Sequence, residues 1–254
     1  MLAHSRHRRR ALTVQPADMI SGSLDPEAHI HAPTAVEMVA EFVGVPSARG
    51  MIHLVSAGVA LVAGTALVYG AWYAPRPGAF WAAVVYAVGI VGMFSVSATY
   101  HRVRWGSPVA EKWMKRFDHS LIFVFIGACY TPLAVLAMPP DVGNKVLVIV
   151  WTGAAAGVAL KMLWPSAPRW VGVPLYLLLG YVAVLFVEVL LDGAGVVVVA
   201  LLVAGAVLYN IGAILYGTRW PNPWPATFGH HEFFHAFTAV GATCHFIAIW
   251  LLVN

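Results

Sequence analysis

Two histidines four residues apart, in His231-Glu232-Phe233-Phe234-His235, share one face of any helix that contains them. That spacing lets both imidazoles reach one metal ion. The pair opens the last apolar segment of the chain, and other ionisable residues end or begin earlier apolar segments: Ser97-Ala98-Thr99-Tyr100-His101 closes one, and Asp118-His119 opens the next. Ionisable groups at membrane depth are costly, so they are functional candidates by default. Three imidazoles with one open position form the ligand set of a catalytic zinc site. Zinc in such a site lowers the pKa of bound water to about 7. Asp118 can hold or deprotonate that water, or serve as a fourth ligand. Ser97 lies four residues before His101, on the same face, within reach of the Asp, the water or a substrate carbonyl.

For these residues to meet, the segments that carry them must bring them to one depth, and the composition says how. The 254 residues are 60% hydrophobic and only 10% charged, with a mean hydropathy of +0.78. A soluble domain carries about a quarter charged residues, so this composition indicates a polytopic membrane protein. Seven apolar stretches follow one another: Met51 to Tyr73, Phe80 to Tyr100, Ser120 to Met138, Val146 to Trp164, Val171 to Leu190, Val196 to Tyr216, and Phe233 to Val253. Each is near the roughly 20 residues that span a bilayer. The expected fold is an all-α, seven-transmembrane helix bundle over residues 34–254, preceded by a disordered, basic cytoplasmic tail over residues 1–33. Within residues 34–254, Thr34 to Val43 has the spacing of a short interfacial helix.

Orientation follows from Lys and Arg. Thirteen of the fifteen fall on the side that includes the N-terminal flank, and only Arg76 and Lys145 on the other. The N-terminus is therefore expected in the cytoplasm and the C-terminus outside, in a multi-pass cell-membrane protein. On this topology His101, Asp118, His231 and His235 all lie at the cytoplasmic end. The pI of about 9.2 reflects these basic flanks and not nucleic-acid binding. Cys129 and Cys244 both sit in apolar segments, as buried free thiols rather than a disulfide framework.

Several neighbours read as supporting or structural. His53 reads first as an interfacial histidine and second as a support for the site. His119 and His230 fall on other helix faces. His245 lies deep in the last span, with Asn210 as a possible polar partner. Tyr130-Thr131-Pro132 is expected to break or kink the third span. The literal His-Glu-x-x-His pattern is also that of zinc metalloproteases. Glu232, however, points about 100° from the ligand face, and a first-turn acid complementing the helix dipole accounts for it.

The motifs Ser97-Ala-Thr-Tyr-His101, Phe117-Asp118-His119-Ser120 with Tyr130-Thr131-Pro132, and Gly229-His-His-Glu-Phe-Phe-His235, in this order, together resemble the haemolysin III family. This is the bacterial branch of the progestin and adipoQ receptors, which include the adiponectin receptors. The resemblance covers about Glu37 to the C-terminus. It implies a seven-helix bundle with zinc near the cytoplasmic side, ligated by His101, His231 and His235, with Asp118 holding the zinc-bound water and Ser97 nearby. It also implies likeness to a wider set of membrane hydrolases that includes alkaline ceramidases. The expected function is a metal-dependent hydrolase of a membrane-lipid amide or ester. A non-catalytic membrane-homeostasis sensor with structural zinc, and a cytolytic pore matching the family label, are the alternatives. The clustering of ionisable residues at one end speaks against a continuous polar path.

Overall fold

The computed structural model describes residues 46–254 apart from Pro165. The expected tail over residues 1–33 and the short helix from Thr34 to Val43 lie outside the described residues. Seven α-helices occur among them: α1 (Met51–Tyr73), α2 (Ala79–Arg102), α3 (Pro108–Ala137), α4 (Pro140–Leu163), α5 (Arg169–Gly180), α6 (Val187–Thr218) and α7 (His230–Val253). No strand is present among the described residues beyond one isolated bridge between Trp224 and Phe228. Six helical runs are long and apolar enough to cross a membrane, the longest being Trp170–Thr218, which joins α5 and α6 through a 3-10 segment at Tyr181–Phe186.

Sequential helices pack side by side, and α1 also meets α7. Small residues permit the close approach. A Cβ on Gly64 would lie 3.1 Å from Ala87 across α1–α2, one on Gly89 2.4 Å from Ala128 across α2–α3, and one on Gly205 2.9 Å from the Gly241 carbonyl across α6–α7. Lipid tails are as apolar as leucine, so helices in a bilayer associate through such packing and not through hydrophobic burial. The outer faces stay apolar: Val55, Val59 and Val62 of α1 are all exposed. The helix surrounded most completely is α3, with 61% of its apolar window buried, and it carries Asp118.

One boundary differs from expectation, and one proline is carried inside its helix. Helix α3 begins at Pro108, twelve residues before the apolar stretch, because Ser107 caps it by accepting from the Ala110 N–H at 3.5 Å and Pro108 occupies the first turn. Apolarity marks where a helix enters the bilayer; capping marks where it starts. Pro132 does not break α3, which continues to Ala137. Thr131 Oγ donates to the Gly127 carbonyl at 2.9 Å beside it, the kind of side-chain compensation that lets membrane helices accommodate proline.

The 49-residue run Trp170–Thr218 would be about 73 Å long if straight. Its contacts show that it turns back. Tyr176 donates to the His119 carbonyl at 3.1 Å, Gly193 lies against the Ala137 carbonyl at the far end of α3, and the Tyr216 ring sits 5.4 Å from that of His231. The reversal centres on Gly195, whose φ of 82° and ψ of 165° are non-helical. That region of backbone space is essentially closed to residues with a Cβ. A Cβ at Gly195 would meet nothing within 4 Å, so substitution there tests the backbone alone. Gly195→Ala is expected to destabilise the bundle by about 1–3 kcal/mol, measured by unfolding in detergent. A neutral result would mean that the turn does not require that conformation.

Candidate metal centre

The sequence-predicted residues converge where three helices meet. His101 comes from the last turn of α2, Asp118 from α3 just past its polar first turns, and His231 and His235 from the first turns of α7. One nitrogen from each of His101, His231 and His235 lies within 4.8 Å of the others. Their ring centroids are 4.7–5.1 Å apart. Four-coordinate zinc with Zn–N near 2.1 Å needs its nitrogens roughly 3.4 Å apart, so small side-chain rotations close the set. His101 Nε2 is buried without a hydrogen-bond partner, as a nitrogen kept for a metal would be. The donor set and its geometry therefore fit a divalent transition metal. Asp118 Oδ2 is 3.9 Å from His101 Nε2, too far for a hydrogen bond, and Asp118 stands outside the group of three.

Two residues take roles that the sequence left secondary. His53 is not interfacial: it is 3% exposed, its ring lies face to face on that of His235 at 3.7 Å and 13°, and its Nδ1 is 2.8 Å from Ser97 Oγ. The signal for burial was faint, namely apolar neighbours Met51, Ile52, Leu54 and Val55 on both sides of His53. Glu232 is 1% exposed. Its Oε2 accepts the Gly229 N–H at 2.8 Å, closing back on the start of α7; its Oε1 accepts from Arg49 Nε in a salt bridge. With both oxygens engaged, Glu232 is not placed to act as a protease base. Arg49, which the sequence offered only as a topology charge, also approaches His231 Nδ1 at 3.4 Å.

The segment carrying Arg49 is pinned to the loop before α7: Ser47 N–H donates to the Ala226 carbonyl at 3.0 Å and Ala48 N–H to Thr227 at 3.2 Å. Gly50 follows with φ of 77°, in the left-handed region open to glycine. A Cβ there would stand 2.8 Å from His101 Cβ, so glycine also lets this segment close over the α2 histidine.

His245 does not pair with Asn210. Its Nε2 lies 3.1 Å from the Leu202 carbonyl, while Asn210 accepts from the Tyr181 hydroxyl at 2.7 Å and donates to Ala206. Cys129 and Cys244 are free thiols, the first buried and the second partly so. His119 Nδ1 meets the Lys115 carbonyl at 2.7 Å and lies 3.8 Å from Asp118 Oδ2.

Fold and site together define a multi-pass helical membrane protein with a histidine cluster, able to bind a metal, inside one end of its bundle. Residues 45–246 match the family described as haemolysin-III related, and the chain belongs to that family. It is 25% identical to Hemolysin-3 of Bacillus cereus over 66% of this chain and 74% of the relative. It is 27% identical to the Hemolysin-3 homolog of Bacillus subtilis over 72% and 84%. The heptahelical transmembrane protein ADIPOR2 of Oryza sativa subsp. japonica is 30% identical over 68% of this chain and 82% of its own length. The chain is thus a multi-pass cell-membrane protein of the haemolysin III type, related to adiponectin-receptor-like proteins.

Proposed function

We propose that this protein is a zinc-dependent hydrolase of a membrane-lipid amide or ester, built on seven membrane spans with its N-terminus in the cytoplasm. The supporting observation is the meeting of three imidazole nitrogens within 4.8 Å, with a carboxylate 3.9 Å from one of them. His101, His231 and His235 are the ligands. Zinc held there supplies a Lewis acid for a carbonyl and lowers the pKa of water towards neutrality. Asp118 takes the proton that water gives up as it adds to the acyl carbon, and returns it to the leaving nitrogen or oxygen when the acyl bond breaks. Ser97, one turn before His101 on α2, is assigned to steadying that carboxylate. A substrate arriving laterally from the bilayer suits a chain whose site lies inside the helix bundle.

A panel of long-chain acyl amides and esters, presented in mixed micelles to zinc-loaded protein, tests the reading by fatty-acid release. Asp118→Asn is expected to lower the rate by about 10²-fold or more while leaving bound zinc in place. Wild-type protein that binds zinc and hydrolyses no member of the panel, or an Asn variant as active as wild type, sinks it.

One observation favours a second reading, zinc as a staple for a membrane sensor. Helices α2 and α7 meet only sparsely, so an ion bridging His101 to the α7 pair would tie them together. In that case His101→Ala would lower the melting temperature as much as metal removal does, and Asp118→Asn would keep full cellular function.

A further inference from the structure

A histidine binds a metal through a lone pair that lies in the plane of its ring. Rotation of the ring therefore decides whether that lone pair meets the ion. The torsion is soft, broad and roughly two-fold, so the surroundings must fix it. For His235 the neighbouring rings differ in how they can do this. His101 lies tilted at 5.1 Å and 57°, and His231 meets it edge-on at 4.7 Å and 79°. Both belong to the ligand cluster themselves. Phe234, the next residue in the chain, lies tilted at 5.9 Å and 52°. Among the described residues, only His53 lies flat on the His235 ring, at 3.7 Å and 13°.

His53 is itself held. Its Nδ1 is 2.8 Å from Ser97 Oγ, a full hydrogen bond between buried groups. Phe94 meets its ring edge-on at 5.0 Å and 65°. His53 is 3% exposed and His235 2%, so neither ring has open space to swing into. Nor is His53 a fourth ligand. An ion in the plane of the His235 ring lies outside the near-parallel plane of His53, and the cluster of three nitrogens does not include it. A metal draws electron density from the imidazole it binds. The electron-rich face of a neutral ring is a favourable neighbour for a ring polarised in that way.

We propose that His53 is a positioning residue for His235: its ring face is the wall that fixes the plane in which His235 presents its nitrogen to a metal. The inference rests on the reading of His101, His231 and His235 as ligands. It brings α1 into a site otherwise drawn from α2, α3 and α7. The role belongs to the flat ring, so a phenylalanine enclosed in the same space performs it too.

Metal affinity of the purified full-length chain, measured with Co2+ against a chromophoric chelator at one fixed pH, tests this. His53→Phe keeps a flat ring against His235; His53→Leu removes the ring and stays apolar. Both variants lose the bond to Ser97, so the difference between them isolates the ring. Loss of a residue that orients a ligand costs about tenfold or more in affinity. The Leu variant is therefore expected to bind Co2+ about tenfold more weakly than wild type, and the Phe variant to bind it as wild type does. The visible absorption of bound Co2+ follows its coordination geometry. It should match wild type in the Phe variant and change in the Leu variant, a difference that lost packing alone would not produce. If the Leu variant does not fold, His53→Met, also without a ring, replaces it. Equal affinities in the Phe and ringless variants, or a ringless variant with the wild-type absorption, would overturn the proposal. A folded wild type that takes up no Co2+ would instead end the reading of the three histidines as ligands, and the His53 role with it.

Discussion

Replacing His231 and His235 together by alanine is expected to reduce bound zinc from near one ion per chain to background, with the helix bundle retained. The two residues supply two of three nitrogens in the cluster from successive turns of one helix, so the double change leaves His101 as a single imidazole, too few ligands for a zinc site. The bundle should survive because α7 is held elsewhere. Ala242 and Ile249 are buried in the core with Leu67, Tyr86 and Phe125, and Gly205 and Gly241 allow α6 and α7 to approach. Elemental mass spectrometry of detergent-purified protein, with circular dichroism as the check on folding, reads both halves of the expectation. Zinc retained by the folded double variant would remove these residues from the ligand set. A folded wild type that takes up no zinc when supplied with it would remove the site.

Much of this arrangement could be read from residue types because the bilayer limits the choices. Apolar runs long enough to cross it located six helical runs, and the short links between spans put the end of α2 beside the start of α3. That is why His101 and Asp118 could be placed together from sequence. The His231–His235 pair needed only helical periodicity. What escaped was information that no single segment contains. Whether Val171–Leu190 and Val196–Tyr216 are joined by a loop or by a continuous helical run depends on the backbone at Gly195, and apolarity is silent about φ. His53 looked interfacial because it starts an apolar segment; its burial depends on how α1 lies against α7 and α2. His245 was given the nearest polar side chain, but a backbone carbonyl at Leu202 satisfied it first. The acid Glu232 was recognisable as a first-turn acid from its place at the start of the last apolar segment, yet its partner Arg49 lies 183 positions away in sequence.

That distant partner sets the largest stability effect expected outside the ligands. Arg49→Ala should destabilise the folded chain by about 3–5 kcal/mol, the usual cost of stranding one member of a buried ion pair. Glu232 is 1% exposed and Arg49 20%, so the two single changes are not equivalent. Without Arg49, a carboxylate remains enclosed with the Gly229 N–H and the start of α7 to oppose it but no cation. Without Glu232, the guanidinium can turn towards water. Arg49→Ala should therefore cost more than Glu232→Ala, and Arg49→Met with Glu232→Gln should recover most of the loss, because the pair is removed rather than broken. Denaturant unfolding in detergent gives the ordering. A surface pair would be worth under about 1 kcal/mol and would show no such asymmetry, so a small, symmetric pair of effects would exclude the buried-pair account. The same pair couples stability to the site. Arg49 Nη1 lies 3.4 Å from His231 Nδ1, and the Arg49 segment is tied by its backbone to the loop that leads into α7. Losing Arg49 should thus loosen the start of α7 together with its first histidine. Metal affinity is then expected to fall in Arg49→Ala and to return in the Met/Gln double variant only as far as the α7 start is restored.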